Sequence, residues 1–479
     1  MATIAPARYV PYGFARTHQL LVAGLSGETM EVWVGETTPP AAINELTRTL
    51  PYRLVPIRKD PQELAAAIMR AYSQQEGSAA SVVDEVAGDL DLSRLMQDIP
   101  KIEDLLESED DAPIIRMINA LLTQAARDNA SDIHIEAFES YSIVRFRVDG
   151  TLRDVVRPRR ELHAALISRI KIMASLDIAE KRLPQDGRIT LRIAGRPVDV
   201  RVSTLPTGHG ERVVLRLLDK EAGRLDLEKL GMSQQTLATF DKLVRQPHGI
   251  VLVTGPTGSG KTTTLYAALS RLDAATTNIL TVEDPIEYDL EGVGQTQVNA
   301  RIDMTFAKAL RSILRQDPDV IMIGEIRDLE TAQIAVQSSL TGHLVLATLH
   351  TNDSLSSVTR LIDMGVEPFL LSSTILGMAA QRLIRKLCPQ CRQPDAITRG
   401  WRAVGCPACN KSGYIGRTGI YELATVNDEL RGLIHNSASE DELREAARRN
   451  GFRSMREDGQ RWVQTGVTSA DEVIRATRD

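Results

Sequence analysis

The chain has 479 residues, of which 43% are hydrophobic and 25% charged, so it is long enough for about three globular domains and too apolar to be largely disordered. Its formal net charge of −6, from 57 Lys and Arg against 63 Asp and Glu, argues against a dedicated nucleic-acid-binding protein. No stretch reaches the roughly 18 consecutive apolar residues of a membrane span, and residues 1–16 lack the apolar run of a secretory signal. We therefore expect a cytoplasmic protein that reaches any membrane through a partner.

The first 112 residues differ in character along their length. Residues 1–75 predict a small mixed domain, with two short strands in Leu20–Gly35 and a helix over Pro61–Gln75. Residues 76–112 carry twelve acidic residues against two basic ones. We interpret them as a solvated linker with a short helix, and an acidic docking segment is the alternative.

Residues 113–225 predict a second α/β domain. An amphipathic helix starts at Pro113, a second helix is expected near Glu161–Ser175, and an Asp-Gly pair at Asp149 is typical of a hairpin turn. The predicted strands are Ser131–Glu136, Tyr141–Val148, Thr151–Val156, Arg188–Ile193, Val198–Thr204 and Glu211–Leu218.

Residues 226–385 alternate short apolar runs with helical segments, the pattern of a parallel sheet buried on both faces. Residues 421–479 are polar, rich in arginine and predicted helical. The apolar runs are Gly249–Gly255, Asn278–Asp284, Asp319–Glu325 and His343–His350.

The segment Gly255–Thr262 reads GPTGSGKT, a full match to the phosphate-binding loop pattern. Its glycines let backbone N–H groups surround phosphates at the start of a helix, Lys261 supplies charge, and Thr262 offers a hydroxyl to Mg²⁺. A chance glycine turn and a loop that binds nucleotide without hydrolysis are the alternatives. The predicted nucleotide-binding residues are Gly255, Pro256, Thr257, Gly258, Ser259, Gly260, Lys261, Thr262 and Thr263.

Carboxylates follow two other predicted strands. Glu325 ends the run DVIMIGE and is predicted to act on Mg²⁺, although a structural Glu at a strand end is possible on the pattern alone. The loop VEDPIE offers Glu283, Asp284 and Glu287, one of which is expected to orient or deprotonate the attacking water.

Two histidines, His343 and His350, bracket the apolar run LVLATL. We expect them to sense the γ-phosphate. A structural role and metal ligation are the alternatives, and joint ligation is disfavoured because the length of a strand separates the two side chains.

All four cysteines lie close together in the sequence, as two Cys-x-x-Cys pairs. This spacing predicts a structural four-thiolate zinc site, with a redox dithiol as the alternative. We expect residues 386–420 to form a zinc module apart from the sheet that carries the phosphate loop. The predicted ligands are Cys388, Cys391, Cys406 and Cys409.

Taken together, these motifs resemble the ATPases of type II secretion and type IV pilus assembly. The resemblance is carried by GPTGSGKTTTLYAAL, ILTVEDPIEY, LRQDPDVIMIGEIRD, LTGHLVLATLHTND and the cysteine region, and it spans about residues 113–479. The first 75 residues, with AAIMRAY in their helix, resemble the general secretion pathway protein E branch.

The resemblance implies a RecA-like core over residues 226–385, an upstream PAS-like α/β domain over 113–225, and a hexameric ring that uses ATP, Mg²⁺ and structural Zn²⁺. It implies that Glu287 is the catalytic carboxylate. It also implies that Arg201 and Arg216 reach a neighbouring subunit's nucleotide, although other arginines lie near them in the sequence.

The resemblance further implies a motor for protein export, with pilus assembly as the alternative. Its implied partners are a bitopic inner-membrane protein, bound by the first domain, and an inner-membrane platform protein. A zinc-ribbon helicase is disfavoured by the net charge of −6 and the 4% aromatic content. A nucleotide-sensing scaffold is disfavoured by the complete set of phosphate, metal and carboxylate motifs.

Overall fold

The computed structural model describes residues 9–10, 12–27, 29–73, 113–193, 196–219, 226–395 and 400–478. The chain divides into two compact units, Met1–Glu221 and Ala222–Asp479. The acidic segment 76–112 lies outside the described residues, which resume at the helix directly after it.

The described elements of the first unit are nine strands and five helices. The helices are α1 (Tyr12–Thr17), α2 (Pro40–Thr49), α3 (Pro61–Ser73), α4 (Pro113–Arg127) and α5 (Leu162–Met173). The strands are β1 (Leu20–Ser26), β2 (Thr29–Val34), β3 (Arg53–Arg58), β4 (Ala130–Ala137), β5 (Ser142–Val148), β6 (Thr151–Val156), β7 (Gln185–Ile193), β8 (Arg196–Thr207) and β9 (Gly210–Asp219).

The strands β1, β2 and β3 form a small sheet near the amino terminus. β1 and β2 pair as an antiparallel hairpin, and α2 crosses over so that β3 runs parallel to β2. Leu64 and Ile68 on α3 are buried together with Leu20 and Met30 of the sheet. The strands and the helix predicted in this region are therefore present.

The strands β4 to β9 form an antiparallel sheet in the order β6-β5-β4-β9-β8-β7. Helices α4 and α5 share one apolar core with this sheet. Alternation along β4 puts Ile133 and Ile135 in that core, whereas Asp132, His134 and Glu136 between and beside them contact arginines. One face of the sheet is thus apolar and the other is charged.

The described elements of the second unit include nine strands and ten α-helices. The strands are β10 (Gly249–Thr254), β11 (Ile279–Glu283), β12 (Gly294–Gln297), β13 (Val320–Ile323), β14 (Leu344–Leu349), β15 (Ile375–Leu387), β16 (Gln393–Asp395), β17 (Gly400–Arg402) and β18 (Tyr414–Thr425). The helices are α6 (Gln234–Val244), α7 (Lys261–Leu269), α8 (Phe306–Ile313), α9 (Leu329–Leu340), α10 (Ser356–Asp363), α11 (Pro368–Thr374), α12 (Asp428–His435), α13 (Glu440–Arg449), α14 (Met455–Gln464) and α15 (Ala470–Ala476).

A sheet in the order β12-β11-β13-β14-β10-β15-β18 organises the second unit. All of its neighbouring strands pair in parallel except β15 and β18, which are antiparallel. Every residue of β10, β13 and β14 is buried, and separate apolar cores cover the two faces. The carboxyl ends of the parallel strands meet at one edge, where ligands bind in such sheets.

The strands β15 and β18 form a long hairpin that carries the cysteines at its tip. β15 pairs with β10 along its first half and with β18 along nearly all of its length. The predicted domain boundaries at residues 385 and 420 therefore fall inside strands. Residue 385 lies in β15, which continues up to Leu387, and residue 420 lies in β18, which begins at Tyr414. The expectation of a zinc module apart from the sheet of the phosphate loop is wrong.

The helices of the last 50 residues begin with strong local signals. Ser439 and Ser454 each cap a helix and form a reciprocal capping box with Glu442 and Glu457. Residues 421–425, which the sequence analysis assigned to the helical tail, instead belong to β18. The predicted mixed α/β fold with a carboxyl-terminal helical segment is confirmed.

Candidate functional site

The loop between β10 and α7 depends on glycine at two positions. Gly255 has φ of 149°, and a Cβ atom there would lie 2.7 Å from the carbonyl oxygen of Gln381. Gly260 has φ of 91°, and a Cβ atom there would lie 2.8 Å from the side-chain nitrogen of Gln381. Any other residue would be strained at either position. The loop therefore rests directly on β15.

Lys261 lies at the start of α7 with its ammonium group folded back over this loop. Its Nζ donates to the carbonyl oxygens of Gly255, at 2.7 Å, and Pro256, at 3.1 Å. Burial lowers the pKa of Lys261 to about 8, the Glu325 carboxylate opposes that shift, and Arg382 adds to it. The loop thus holds a desolvated cation that an anion would stabilise.

The first turn of α7 offers further anion-binding groups. The helix has nine residues and no side chain caps its amino terminus, where Gly260 is the N-cap. The hydroxyl of Ser259 is buried and has no hydrogen-bond partner among the described residues. Thr262 and Thr263 are half-buried on the same turn. Uncapped N–H groups, a buried hydroxyl without a partner and a lysine ammonium together suit a phosphate group.

Glu325 lies just beyond the carboxyl end of β13, beside the phosphate loop. Its carboxylate pairs with Arg327, and its Oε2 lies 3.4 Å from Nε2 of His350. Arg327 also approaches Asp284, with 3.8 Å between the charged atoms. The Glu325 side chain is only 14% exposed. A carboxylate in this position, near the charge of Lys261, can bind a metal ion that also binds phosphate.

The two histidines that bracket β14 lie at opposite edges of the sheet. His350 follows the carboxyl end of β14, which pairs with the end of β10. His343 precedes the amino end, where its Nδ1 contacts the Ser338 carbonyl at 2.8 Å. The six-residue strand separates the two edges by about 20 Å. The structure therefore brings His350, and not His343, to the candidate nucleotide site.

Burial lowers the pKa of His350, and the nearby charge of Lys261 lowers it further. The imidazole is consequently neutral near pH 7, with one ring nitrogen as donor and the other as acceptor. A neutral imidazole beside Glu325 can respond to a bound phosphate without adding a charge of its own.

The three acidic residues of the VEDPIE loop have different surroundings. Glu283 ends β11 and is buried, and its carboxylate accepts hydrogen bonds from Tyr266, Thr281 and Gln295. Glu287 is half-buried, and its backbone N–H donates to the Tyr266 hydroxyl at 3.3 Å. Glu283 is thus committed to internal contacts, and the assignment of Glu287 as the catalytic carboxylate stays a prediction.

Two residues of β15, Gln381 and Arg382, border the phosphate loop although no sequence motif marks them. The Gln381 side chain accepts from the Thr264 hydroxyl at 2.7 Å. Arg382 donates to the Asn352 carbonyl at 2.8 Å. Arg382 also lines, together with His350, an open cleft of about 830 Å³. Strand register brings them there, because β15 runs parallel to β10 and reaches Ala380 opposite Thr254, and no sequence motif marks either residue.

Arg201 and Arg216 are in the first unit, on its charged sheet face. They are register partners on β8 and β9. The Nε of Arg216 donates to Oδ1 of Asp132 at 2.9 Å, and the same carboxylate lies 3.5 Å from Arg147. The phosphate loop is in the second unit, so a role of either arginine at a nucleotide stays a prediction.

The four cysteines converge at the tip of the β15–β18 hairpin. All four sulfur atoms lie within 4.8 Å of one another, and the Cys388–Cys406, Cys391–Cys409 and Cys406–Cys409 pairs are each 3.8 Å apart. Four thiolates bound at about 2.3 Å in a tetrahedron would lie about 3.8 Å apart, so the donor set fits a zinc ion.

Backbone groups around these sulfurs favour the charged thiolate. The Sγ of Cys409 accepts N–H bonds from Cys406 at 3.1 Å and from Gly413 at 3.2 Å. Burial raises the pKa of Cys409, but these hydrogen bonds, together with those from the Cys391 and Cys406 thiols, outweigh it and lower the pKa to about 6. The N–H of Gly405 also donates to Cys391, but burial and the neighbouring thiols outweigh this hydrogen bond and raise the pKa of Cys391 to about 12. Thiolates are the form in which cysteine binds metal.

The tip of the hairpin is fastened to the carboxyl-terminal helices. Arg385 forms an ion pair with Glu472 at 2.7 Å, and the Arg392 guanidinium lies over the Trp401 ring and donates to the Gly466 carbonyl. Some of the basic residues of this region therefore make internal contacts. Within the part of the chain that the structure describes, no helix is long and apolar enough to span a bilayer.

Comparison with known sequence families agrees with this geometry. The family described as "Type II/IV secretion system protein" matches residues 107–475. A second family model, which describes an amino-terminal domain of GSPII protein E, matches residues 9–72. The two matches together cover most of the chain, including both units.

Curated relatives align over nearly their whole length. The type II secretion system protein HxcR of Pseudomonas aeruginosa is 67% identical over 472 residues, which are 98% of this chain and 99% of that protein. The type II secretion system ATPase E of Vibrio cholerae is 52% identical over 490 residues, which are 98% of this chain and 97% of that protein.

Solved structures of related motors share the fold. The pilus retraction motor PilT, solved with bound ADP, is 28% identical with a TM-score of 0.54 and covers 75% of this chain and 96% of its own. The Legionella pneumophila ATPase DotB, at 22% identity and a TM-score of 0.58, covers 75% of this chain and 94% of its own and supports the fold alone. The chain therefore belongs to the type II secretion system protein E family, the secretion ATPases that its motifs resemble.

Proposed function

We propose that this chain hydrolyses ATP to power protein export by a type II secretion system. The observation that carries the proposal is the convergence of Lys261, Glu325 and His350 at the carboxyl edge of one parallel sheet. Assembly of a type IV pilus would use the same residues and is the alternative function.

Each residue of the site has a distinct part in the proposed reaction. Lys261 and the amino terminus of α7 bind the β- and γ-phosphates. Thr262 and Glu325 hold Mg²⁺, which would neutralise charge on the phosphates. Glu287 orients or deprotonates the attacking water, and His350 responds to the γ-phosphate through its contact with Glu325.

Replacement of Lys261 tests the proposal. Lys261→Ala should reduce ATP turnover to below about a tenth of the wild-type rate, because it removes the desolvated ammonium that would bind phosphate. Lys308→Ala, which removes an exposed lysine paired with Asp303, is the matched control and should leave turnover unchanged. Retention of most of the activity by Lys261→Ala would contradict the proposal.

We also propose that the chain works as a hexameric ring in which Arg201 and Arg216 act on a neighbouring subunit's nucleotide. Mixing Arg216→Ala chains with Lys261→Ala chains tests this, because some mixed interfaces then pair an intact arginine with an intact phosphate loop. Partial recovery of turnover is expected. The absence of recovery in rings shown to contain both variants would refute action in trans.

We further propose that the motor is cytoplasmic and peripheral to the inner membrane. The amino-terminal domain, residues 1–75, would bind a bitopic inner-membrane protein, the ring would contact an inner-membrane platform protein, and no nucleic acid would be bound. Co-purification from membranes, with and without residues 1–75, tests this arrangement. Recovery of a bitopic secretion protein only with the full chain would favour export over pilus assembly.

We propose that the four cysteines hold one structural Zn²⁺ per chain. Bound zinc would join the two Cys-x-x-Cys turns at the tip of the hairpin, and its four thiolate ligands would leave no open position for catalysis. Elemental analysis of protein purified without chelator should give one zinc ion per chain.

A further inference from the structure

Tyr266 lies on α7, between the phosphate loop and the loop that carries Glu287. The side chain is 1% exposed and belongs to the apolar core that covers one face of the sheet in the second unit. Its ring packs edge-on against Tyr288, with 4.7 Å between the ring centres. The same helix therefore presents Lys261 at its amino terminus and Tyr266 to the neighbouring loop.

The hydroxyl of Tyr266 makes three polar contacts. It donates to Oε2 of Glu283, it accepts the backbone N–H of Glu287 at 3.3 Å, and it lies 3.3 Å from Nε2 of Gln295. A phenol has one hydrogen and two lone pairs, so these contacts use its full capacity. Burial and the Glu283 carboxylate both raise the pKa of Tyr266, which keeps the hydroxyl protonated and fixes it as the donor to Glu283.

We propose that Tyr266 is a positioning residue that fixes the backbone of Glu287 relative to the phosphate loop. The proposal rests on the function proposed above, in which Glu287 acts on the attacking water. Tyr266 has no direct contact with nucleotide in this assignment. It acts by joining the helix that binds the phosphates to the loop that supplies the carboxylate.

A purely structural role of Tyr266 predicts a different outcome. If the hydroxyl served only to satisfy the buried Glu283, then loss of any donor to Glu283 should have similar consequences. Thr281 is such a donor, with 2.6 Å between its Oγ1 and Oε1 of Glu283, and no contact with the Glu287 backbone is among its described hydrogen bonds. Thr281→Val thus removes a hydrogen bond to Glu283 while the contact between Tyr266 and Glu287 stays intact.

The test compares Tyr266→Phe with Thr281→Val in the full-length protein, by steady-state ATP hydrolysis and nucleotide titration. Tyr266→Phe should lower kcat by about 10- to 100-fold with the KM for ATP changed less than about threefold, because misplaced catalytic groups affect turnover more than binding. Thr281→Val should keep kcat within about threefold of wild type. Equal losses in both variants, or wild-type kcat in Tyr266→Phe, would overturn the proposal.

A double variant separates this proposal from the proposed function. Tyr266→Phe added to Glu287→Gln should lower kcat no further than Glu287→Gln alone, because the group being positioned is already gone. If Glu287→Gln itself leaves kcat unchanged, the proposed role of Glu287 fails. If Glu287→Gln is slow and the second change lowers kcat independently, positioning of Glu287 by Tyr266 fails.

Tyr266→Phe leaves a buried carboxylate with fewer donors and is expected to lower stability. Should the variant not fold, Tyr266→Phe combined with Glu283→Gln removes the buried charge as well. Its kcat is then compared with that of Glu283→Gln alone. A further loss of about tenfold or more supports the proposal, and equal rates overturn it.

Discussion

The four-cysteine site and the candidate nucleotide site share one sheet but are assembled in opposite ways. The cysteines come from two short turns at the tip of one hairpin. The nucleotide site takes Lys261, Glu325 and His350 from positions after three different strands, and Arg382 from a fourth. The first site is local in sequence, within residues 388–409. The second exists only when a whole parallel sheet with two covered faces has formed.

The strand β15 is the physical connection between the two sites. Gln381 in its middle contacts the helix of the phosphate loop, and Cys388 follows its last residue. Because β15 pairs with β10 on one side and with β18 on the other, its position in the sheet does not depend on the tip of the hairpin. We therefore expect damage at the cysteines to stay local.

The largest expected effect concerns the non-local site. Glu287→Gln should reduce kcat by about 10²–10⁴-fold with nucleotide affinity nearly unchanged, because the amide cannot accept the proton of the attacking water. Glu291→Gln, an exposed position farther along the same loop, is the matched control and should keep wild-type turnover. Single-turnover hydrolysis and nucleotide titration measure the two quantities. A larger loss of turnover in Glu283→Gln than in Glu287→Gln would reassign the catalytic carboxylate.

The two histidines that flank β14 provide a matched pair of variants, and the expected loss of turnover is smaller than that of Glu287→Gln. His350→Ala should lower turnover about 10- to 100-fold, as expected when a partner of a metal-binding carboxylate is lost. His343→Ala should stay within about twofold of wild type, because that side chain contacts Ser338 and Thr341 at the other edge of the sheet. Comparable losses of turnover in the two variants would contradict the assignment of His350, and not His343, to the nucleotide site.

The same contrast explains what the sequence could predict. The phosphate loop and the cysteine pairs are contiguous motifs, so their residues could be named from spacing alone. His343 and His350 look equivalent in sequence, and only the direction of β14 against β10 separates them. The rule that parallel strands present their carboxyl ends at one edge could have made that distinction in advance.

Other residues could not be predicted because their contacts are distant in sequence. Gln381 meets a residue 117 positions earlier, and nothing in the run AAQRLIRKL indicates that partner. The helical spacing of Tyr266 is that of an ordinary core residue. The contacts of its hydroxyl depend on the position of the loop that carries Glu287, which the sequence does not give. The change in composition at Cys388 also obscures the continuation of β15 up to Leu387, so the sequence predicts the domain boundary too early.

The pH dependence of nucleotide binding is expected to reflect the desolvation of Lys261. Its pKa of about 8 means that the ammonium loses its proton above that pH, and bound phosphates require the charged form. Affinity for ATP should fall above about pH 8, by at most about tenfold per pH unit. Titrations with a fluorescent nucleotide across this range measure the effect.

Lys261→Arg is the control for that experiment, because a guanidinium stays charged throughout the range. The variant is expected to bind more weakly overall, since a planar guanidinium differs in shape and hydrogen-bond geometry from an ammonium, but with little dependence on pH. A wild-type affinity that is flat up to about pH 9.5 would show that Lys261 is not the titrating group. An equal decline of ATP affinity with pH in the wild type and in Lys261→Arg would also show that Lys261 is not the titrating group.

The smallest expected effect on nucleotide binding comes from the cysteines. Cys406→Ser should release zinc and make the tip of the hairpin sensitive to proteolysis, because a four-thiolate site supplies roughly 10–16 kcal/mol of local folding free energy at neutral pH. The Kd for ATP should change less than about threefold, since β15 stays paired on both sides. Ser412→Ala, which removes a hydroxyl bonded to the Cys409 carbonyl and no ligand, is the matched control. Elemental analysis, limited proteolysis and nucleotide titration follow the three properties. If zinc is lost and ATP binding weakens tenfold or more, β15 transmits the state of the hairpin tip to the phosphate loop, and the two sites are not independent.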